Sequence, residues 1–100
     1  WADPAKQWTP RAWQGLDDET LADSLAQYTR RVLRRLKAEG ATPDLIQTGN
    51  EISYGMLWGA ASEGYAKACY PDASKANWQR FASLLRRATE VCREECPEAR

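Results

Sequence analysis

Leu45-Ile46-Gln47-Thr48-Gly49-Asn50-Glu51-Ile52 decides how this chain folds. Its front half is short and apolar at the centre, and Gly49 stops it. A run of that kind reads as a buried strand, here over 44–48. The back half places one carboxylate, Glu51, behind an amide side chain, Asn50, where that strand would end. In α/β barrels the carboxyl end of a strand is where catalytic residues sit.

Upstream, Leu21, Leu25, Tyr28, Val32, Leu33 and Leu36 recur at helical spacing. Asp17 or Asp18 is a good N-cap, and Gly40 is a natural stop. Arg30, Arg31, Arg34, Arg35 and Lys37 suit the C-terminal half of a helix dipole. A helix is therefore expected over 18–39. A helix, the short connection Ala41-Thr42-Pro43 and a buried strand make one αβ step of a parallel sheet.

Residues 49–74 carry Gly49, Gly55, Gly59, Gly64 and Pro71 among Tyr54, Trp58, Tyr65 and Tyr70. This is a long loop, and long ordered loops tend to be functional. Asp72 or Ser74 can cap a second helix over 75–95. Its apolar stripe is Trp78, Phe81, Ala82, Leu85, Ala88 and Cys92, and Pro97 ends it. Residues 1–16 sustain no period and read as a connecting loop, with a helical turn around Pro10-Arg11-Ala12-Trp13. The fold class is α/β, with two long helices around one parallel-type strand. A lone strand leaves both edges unpaired, which is costly when buried. Isolated, such a chain is expected to pair with copies of itself, to leave the strand exposed, or to rearrange as a mostly helical assembly.

One hundred residues suffice for one domain. A complete (β/α)8 barrel needs roughly 200 or more. The chain opens on Trp1, so it is expected to be processed or cut from something larger. Lys plus Arg and Asp plus Glu are both 14, so no global charge points to nucleic acid or an anionic membrane. The basic run at 30–37 reads as a solvated helix face. No stretch of about 18 apolar residues predicts a membrane span. Cys69, Cys92 and Cys96 have no metal-site spacing, and no histidine completes a zinc set or a Ser-His-Asp triad. The odd count leaves at least one thiol free or intermolecular, and all three read as incidental. Trp1, Trp8, Trp13 and Trp58 fall on loops, where aromatics form either small local cores or stacking platforms for sugars.

Four segments carry a resemblance. Trp1-Ala2-Asp3-Pro4-Ala5-Lys6-Gln7 is similar to the Trp-Ala-Asp-Pro segment of the endo-β-1,4-galactanases. Thr48-Gly49-Asn50-Glu51-Ile52 resembles the Gly-Asn-Glu motif on their fourth barrel strand. Gly55-Met56-Leu57-Trp58 resembles their Gly-Leu-Leu-Trp, and Asn77-Trp78 before Phe81-Ala82-Ser83-Leu84-Leu85 is similar to the start of their next helix. The resemblance implies a piece of a (β/α)8 barrel, from the loop after strand 3 through helix 4. It departs from the family at Ala60-Ala61, where Pro commonly follows the Trp, and in a local insertion at 59–74.

That family cleaves β-1,4-galactosidic bonds in arabinogalactan and pectic galactan with retention. Retention needs two carboxyl groups about 5–5.5 Å apart. One is the nucleophile; the other protonates the leaving oxygen and then serves as base for water. The resemblance implies Glu51 as that acid/base and Asn50 as the partner of the sugar 2-hydroxyl. It implies Trp58 and Trp1 lining sugar subsites, with Asp3 positioning the Trp1 loop or binding a hydroxyl. No other carboxylate here is a convincing nucleophile, so these residues alone are expected to be inactive. No cofactor is expected, since the family's calcium loop lies outside this segment. Secretion or a periplasmic or cell-surface place is expected. Bland readings stand beside these: Glu51 as a solvated glutamate, Trp58 as loop packing, Trp78 as core. Two other functions fit the residues: a non-catalytic, Trp-rich module binding glycan or protein, or another retaining glycosidase of the same clan.

Overall fold

The computed structural model describes residues 5–69 and 75–100. Two helices dominate them, α1 at Asp18–Ala38 and α2 at Lys75–Glu95. Asp17 caps α1, its carboxylate accepting the Thr20 N–H at 2.8 Å. At the other end Gly40 turns left-handed (φ 73°). Its N–H then donates to the Lys37 carbonyl, and the Ala41 N–H to the Leu36 carbonyl. That is a Schellman motif, which an L-residue with a Cβ would strain. A 3-10 turn at Arg11–Trp13 lies where the sequence places one, and a second forms at Ala61–Glu63. The suggested caps of α2, Asp72 and Ser74, lie outside the described residues.

The helices run parallel, and a ladder of ion pairs shows it. Asp18 meets Arg80 at 2.9 Å, Asp23 meets Arg87 at 2.6 Å, Arg30 meets Glu94 at 2.7 Å, and Arg34 meets Glu95 at 2.9 Å. Each step along α1 is matched by a step in the same direction along α2. The basic run is therefore more than a solvated face: Arg30, Arg34 and Lys37 hold Glu94 and Glu95 at the end of α2. Those glutamates oppose their own helix dipole, and the arginines of α1 offset that. Consecutive parallel helices demand a returning segment between them, the connectivity of β/α alternation.

The returning segment forms no strand at 44–48 among the described residues. Leu45 is 74% exposed rather than buried. The physical reason is pairing. Arg100 receives a hydrogen bond from the Ile46 N–H (2.7 Å) and donates its own N–H to the Asp44 carbonyl (3.0 Å). One residue bonding two residues spaced two apart is a single parallel-type rung. One rung does not make a ladder.

Leu21, Ala22 and Leu84 are buried where the helices meet, with Trp13, Leu16, Met56 and Leu57 packed against them. A second cluster joins Leu33, Cys92 and Cys96 to Ile46 and Ala99. The expected stripe of α1 is only half covered: Tyr28, Val32 and Leu36 are exposed, as is Trp78 on α2. Leu21, Ala22, Ala26 and Leu33 are the buried positions on α1, so Tyr28, Val32 and Leu36 form a second apolar side that no described residue fully covers.

Candidate active site

Parallel helices put both of their N-terminal ends on one side of the molecule, and the two long loops meet there. The loop before α1 and the loop before α2 are clasped backbone to backbone. The Trp58 N–H donates to the Gln7 carbonyl at 3.0 Å, and the Thr9 N–H donates to the Gly59 carbonyl at 2.9 Å. Thr9 closes the clasp with its hydroxyl, which accepts the Gly59 N–H at 2.8 Å in a buried setting. Gly59 is left-handed (φ 102°), and a Cβ there would run into the Glu63 carboxylate. That carboxylate is needed where it is, accepting the Ala60 N–H at 2.7 Å.

Behind the clasp sits one buried cation, Arg80, 9% exposed. Its Nε donates to Asp18 at 2.9 Å, Nη1 to the Met56 carbonyl at 3.2 Å, and Nη2 to the Leu57 carbonyl at 2.6 Å. One planar fork thus joins the first turn of α1, the loop and α2. Arginine suits this task because its donors are rigidly arranged and always charged.

Asn50 and Glu51 lie on the same side, both exposed. Glu51 has a left-handed backbone (φ 51°), as do Gln7 (34°) and Leu57 (52°). These are the non-glycine residues with positive φ among the described ones, and all belong to the two clasped loops. Strained backbone of this kind collects at functional sites. The Gln7 side chain donates to the Asn50 carbonyl at 3.0 Å, and Gln47 donates to the Gly49 carbonyl at 3.1 Å.

Trp58 is 3% exposed. Its indole N–H donates to the Tyr54 carbonyl at 3.1 Å. Trp8 meets it edge-on at 5.7 Å between centroids, and Tyr65 at 5.2 Å. Here its ring is the centre of a loop core, the packing alternative to a stacking platform. Trp1 and Asp3 lie outside the described residues. Cys69 is buried beneath the loop, and desolvation raises its thiol pKa while the Arg80 charge works against that. Gly55 (φ 91°) lets the chain pass close over that sulfur: a Cβ would stand 3.2 Å from it. None of the three cysteines is in a disulfide. Among the described residues no three His, Cys, Asp or Glu side chains are grouped to hold a metal ion.

Sequence reasoning did not single out Gln7, Thr9 or Arg80. Arg80 left a trace, being four residues before Leu84 on the side of α2 that faces α1. An arginine on a buried stripe signals a partner for each of its donors. Thr9 left none.

The glycosyl hydrolase family 53 model matches residues 1–100. An uncharacterized protein of Niallia circulans is 46% identical over 86 residues, which is 86% of this chain and 22% of that one. The endo-beta-1,4-galactanase of Bacillus subtilis is 30% identical over 94 residues, 94% of this chain and 18% of that one. The solved GH53 catalytic domain of Ignisphaera aggregans superposes with a TM-score of 0.77 at 35% identity, covering 99% of this chain and 24% of that one. The chain spans less than a quarter of the length of these relatives. Its two parallel helices and returning segment are part of a (β/α)8 barrel, and the chain belongs to glycosyl hydrolase family 53.

Proposed function

We propose that the protein hydrolyses β-1,4-galactosidic bonds in arabinogalactan and pectic galactan with retention of configuration. Glu51 is the general acid/base and Asn50 holds the sugar 2-hydroxyl. The observation that carries this reading is the placement of Asn50-Glu51. Both side chains are exposed on the loop side of the helix pair, with Glu51 in a strained backbone, in a chain of a glycoside hydrolase family. Relatives that match it are named arabinogalactan endo-beta-1,4-galactanases. Glu51 gives its proton to the leaving oxygen, a second carboxylate attacks the sugar, and Glu51 then takes a proton from the incoming water. That chemistry requires two carboxyl groups and no cofactor. The second carboxylate comes from a part of the protein beyond these residues, so the 100 residues alone turn over no galactan. Trp1 lines a sugar subsite, and Asp3 either supports Trp1 or binds a hydroxyl, both roles resting on the family resemblance of the sequence around them. Trp58 shapes the loop beneath it, since its ring is engaged in packing. A polymeric plant-wall substrate calls for a secreted, periplasmic or cell-surface protein.

In the whole protein, Glu51→Gln should abolish galactan hydrolysis, and azide should speed turnover of a dinitrophenyl β-galactobioside by Glu51→Ala, attacking the glycosyl-enzyme in place of activated water. Unimpaired hydrolysis by Glu51→Gln refutes the assignment. One observation favours a binding role instead: a groove of about 850 Å³ lined by Trp8, Trp13, Tyr28 and Leu57. Quenching of tryptophan emission by galacto-oligosaccharides, lost in Trp13→Ala but kept in Glu51→Gln, would place sugar in that groove.

A further inference from the structure

We infer that Gln7 is a positioning residue for Glu51, an inference that rests on the acid/base reading above. Glu51 holds φ 51°, a conformation that an L-residue adopts only when its surroundings impose it. The orientation of its carboxyl group depends on rotation about its N–Cα bond. The peptide group on one side of that bond includes the Asn50 carbonyl, and Gln7 Nε2 donates to that oxygen at 3.0 Å. Gln7 is itself pinned, because its own carbonyl accepts the Trp58 N–H at 3.0 Å. That N–H belongs to the peptide group following Leu57, another left-handed residue (φ 52°). A single residue therefore fixes one peptide group beside each of two strained positions. It does so from the other loop, across 43 residues of sequence. Gln7 is also left-handed (φ 34°), so its own backbone is committed to this arrangement. Gln7 touches no reacting atom; it aims the residue that does.

The test separates proton donation from general loss of structure. Protonation by Glu51 matters when the leaving group is a sugar and matters little when it is dinitrophenolate, which departs unaided. In the whole protein, Gln7→Met keeps the side-chain length and removes the donor. It should lower kcat/KM on galactan by about 10- to 100-fold, the cost of a misplaced catalytic group. It should leave kcat/KM on a dinitrophenyl β-galactobioside unchanged. Gln7→Lys, which keeps a donor, should recover most of the loss. Glu51→Gln must show the same split between substrates. If Glu51→Gln shows it and Gln7→Met lowers both substrates equally or neither, the inference about Gln7 is wrong. If Glu51→Gln shows no split, the acid/base reading fails and takes the inference with it.

Discussion

Arg80→Met tests the fork that holds the loop, and its cost can be worked from the contacts. The change keeps most of the apolar stem and removes every donor. The Met56 and Leu57 carbonyls lose partners at 3.2 and 2.6 Å. A buried acceptor left unsatisfied costs about 1–3 kcal/mol. Both residues are only half-buried, so water reaches part of the way and the lower end applies, about 1 kcal/mol each. The Asp18 side chain is 68% exposed, and losing that pair costs at most about 1 kcal/mol. The sum is about 3 kcal/mol, or about 100-fold in a local opening equilibrium. Because every lost contact lies at the loop end of the helix pair, the opening should be local. Hydrogen exchange should speed up at the amides of Trp58 and Gly59, which donate to Gln7 and Thr9. Amides in the middle of α1, such as Ala26 and Leu33, should keep their protection. Arg80→Lys should fall between, because an ammonium cannot serve three acceptors in one plane. Unchanged exchange at Trp58 and Gly59, or equal loss along both helices, would refute the fork's role.

Thr9→Val removes the hydroxyl that accepts the Gly59 N–H and leaves that buried donor unpaired. It should cost about 1–3 kcal/mol, seen as faster exchange at Gly59 than at Trp58. At the far end of the helix pair, desolvation pushes the Glu95 carboxyl up, but Arg34 and Lys37 outweigh it and hold the group below its ordinary value. A carboxylate lowered in the folded state stabilises above its unfolded pKa and loses that contribution as pH falls through the folded one. Acid should therefore loosen the ends of α1 and α2 from the ordinary glutamate range, about 4.3, downward. An acid titration followed by helix circular dichroism should lose this component in Glu95→Gln. Burial also raises the thiols of Cys69 and Cys92, the latter further by Cys96. Both should alkylate with iodoacetamide far more slowly at neutral pH than a free thiol does, and denaturant should abolish the difference.

The helices were legible because their signals are local. Spacing marks α1, an Asp at the cap and Gly40 at the stop bracket it, and Pro97 follows α2. The strand at 44–48 was legible as a pattern but not as a structure. A strand exists only through its neighbours, and this segment has a single rung, the Asp44 and Ile46 bonds to Arg100. The exposed Tyr28, Val32 and Leu36 have the same origin: periodicity tells which residues seek burial, not whether a partner is present. At the site, Asn50 and Glu51 stood out as chemistry. Gln7 and Thr9 did not, because their roles come from side-chain bonds to backbone groups more than 40 residues away. Polar residues on loops carry no periodic signature by which such bonds are read.

The clasp between Thr9 and Gly59 has a consequence for engineering. Loops on a barrel are commonly treated as independent parts, to be exchanged one at a time for a new specificity. Here the two are a single cassette: the Gln7 and Thr9 bonds cross from one loop to the other, and Arg80 anchors their shared base. A graft of residues 49–69 into a relative would arrive with its complementary half missing. Its carrier should include residues 5–16 and Arg80, so that the incoming Glu51 finds the same neighbours it left.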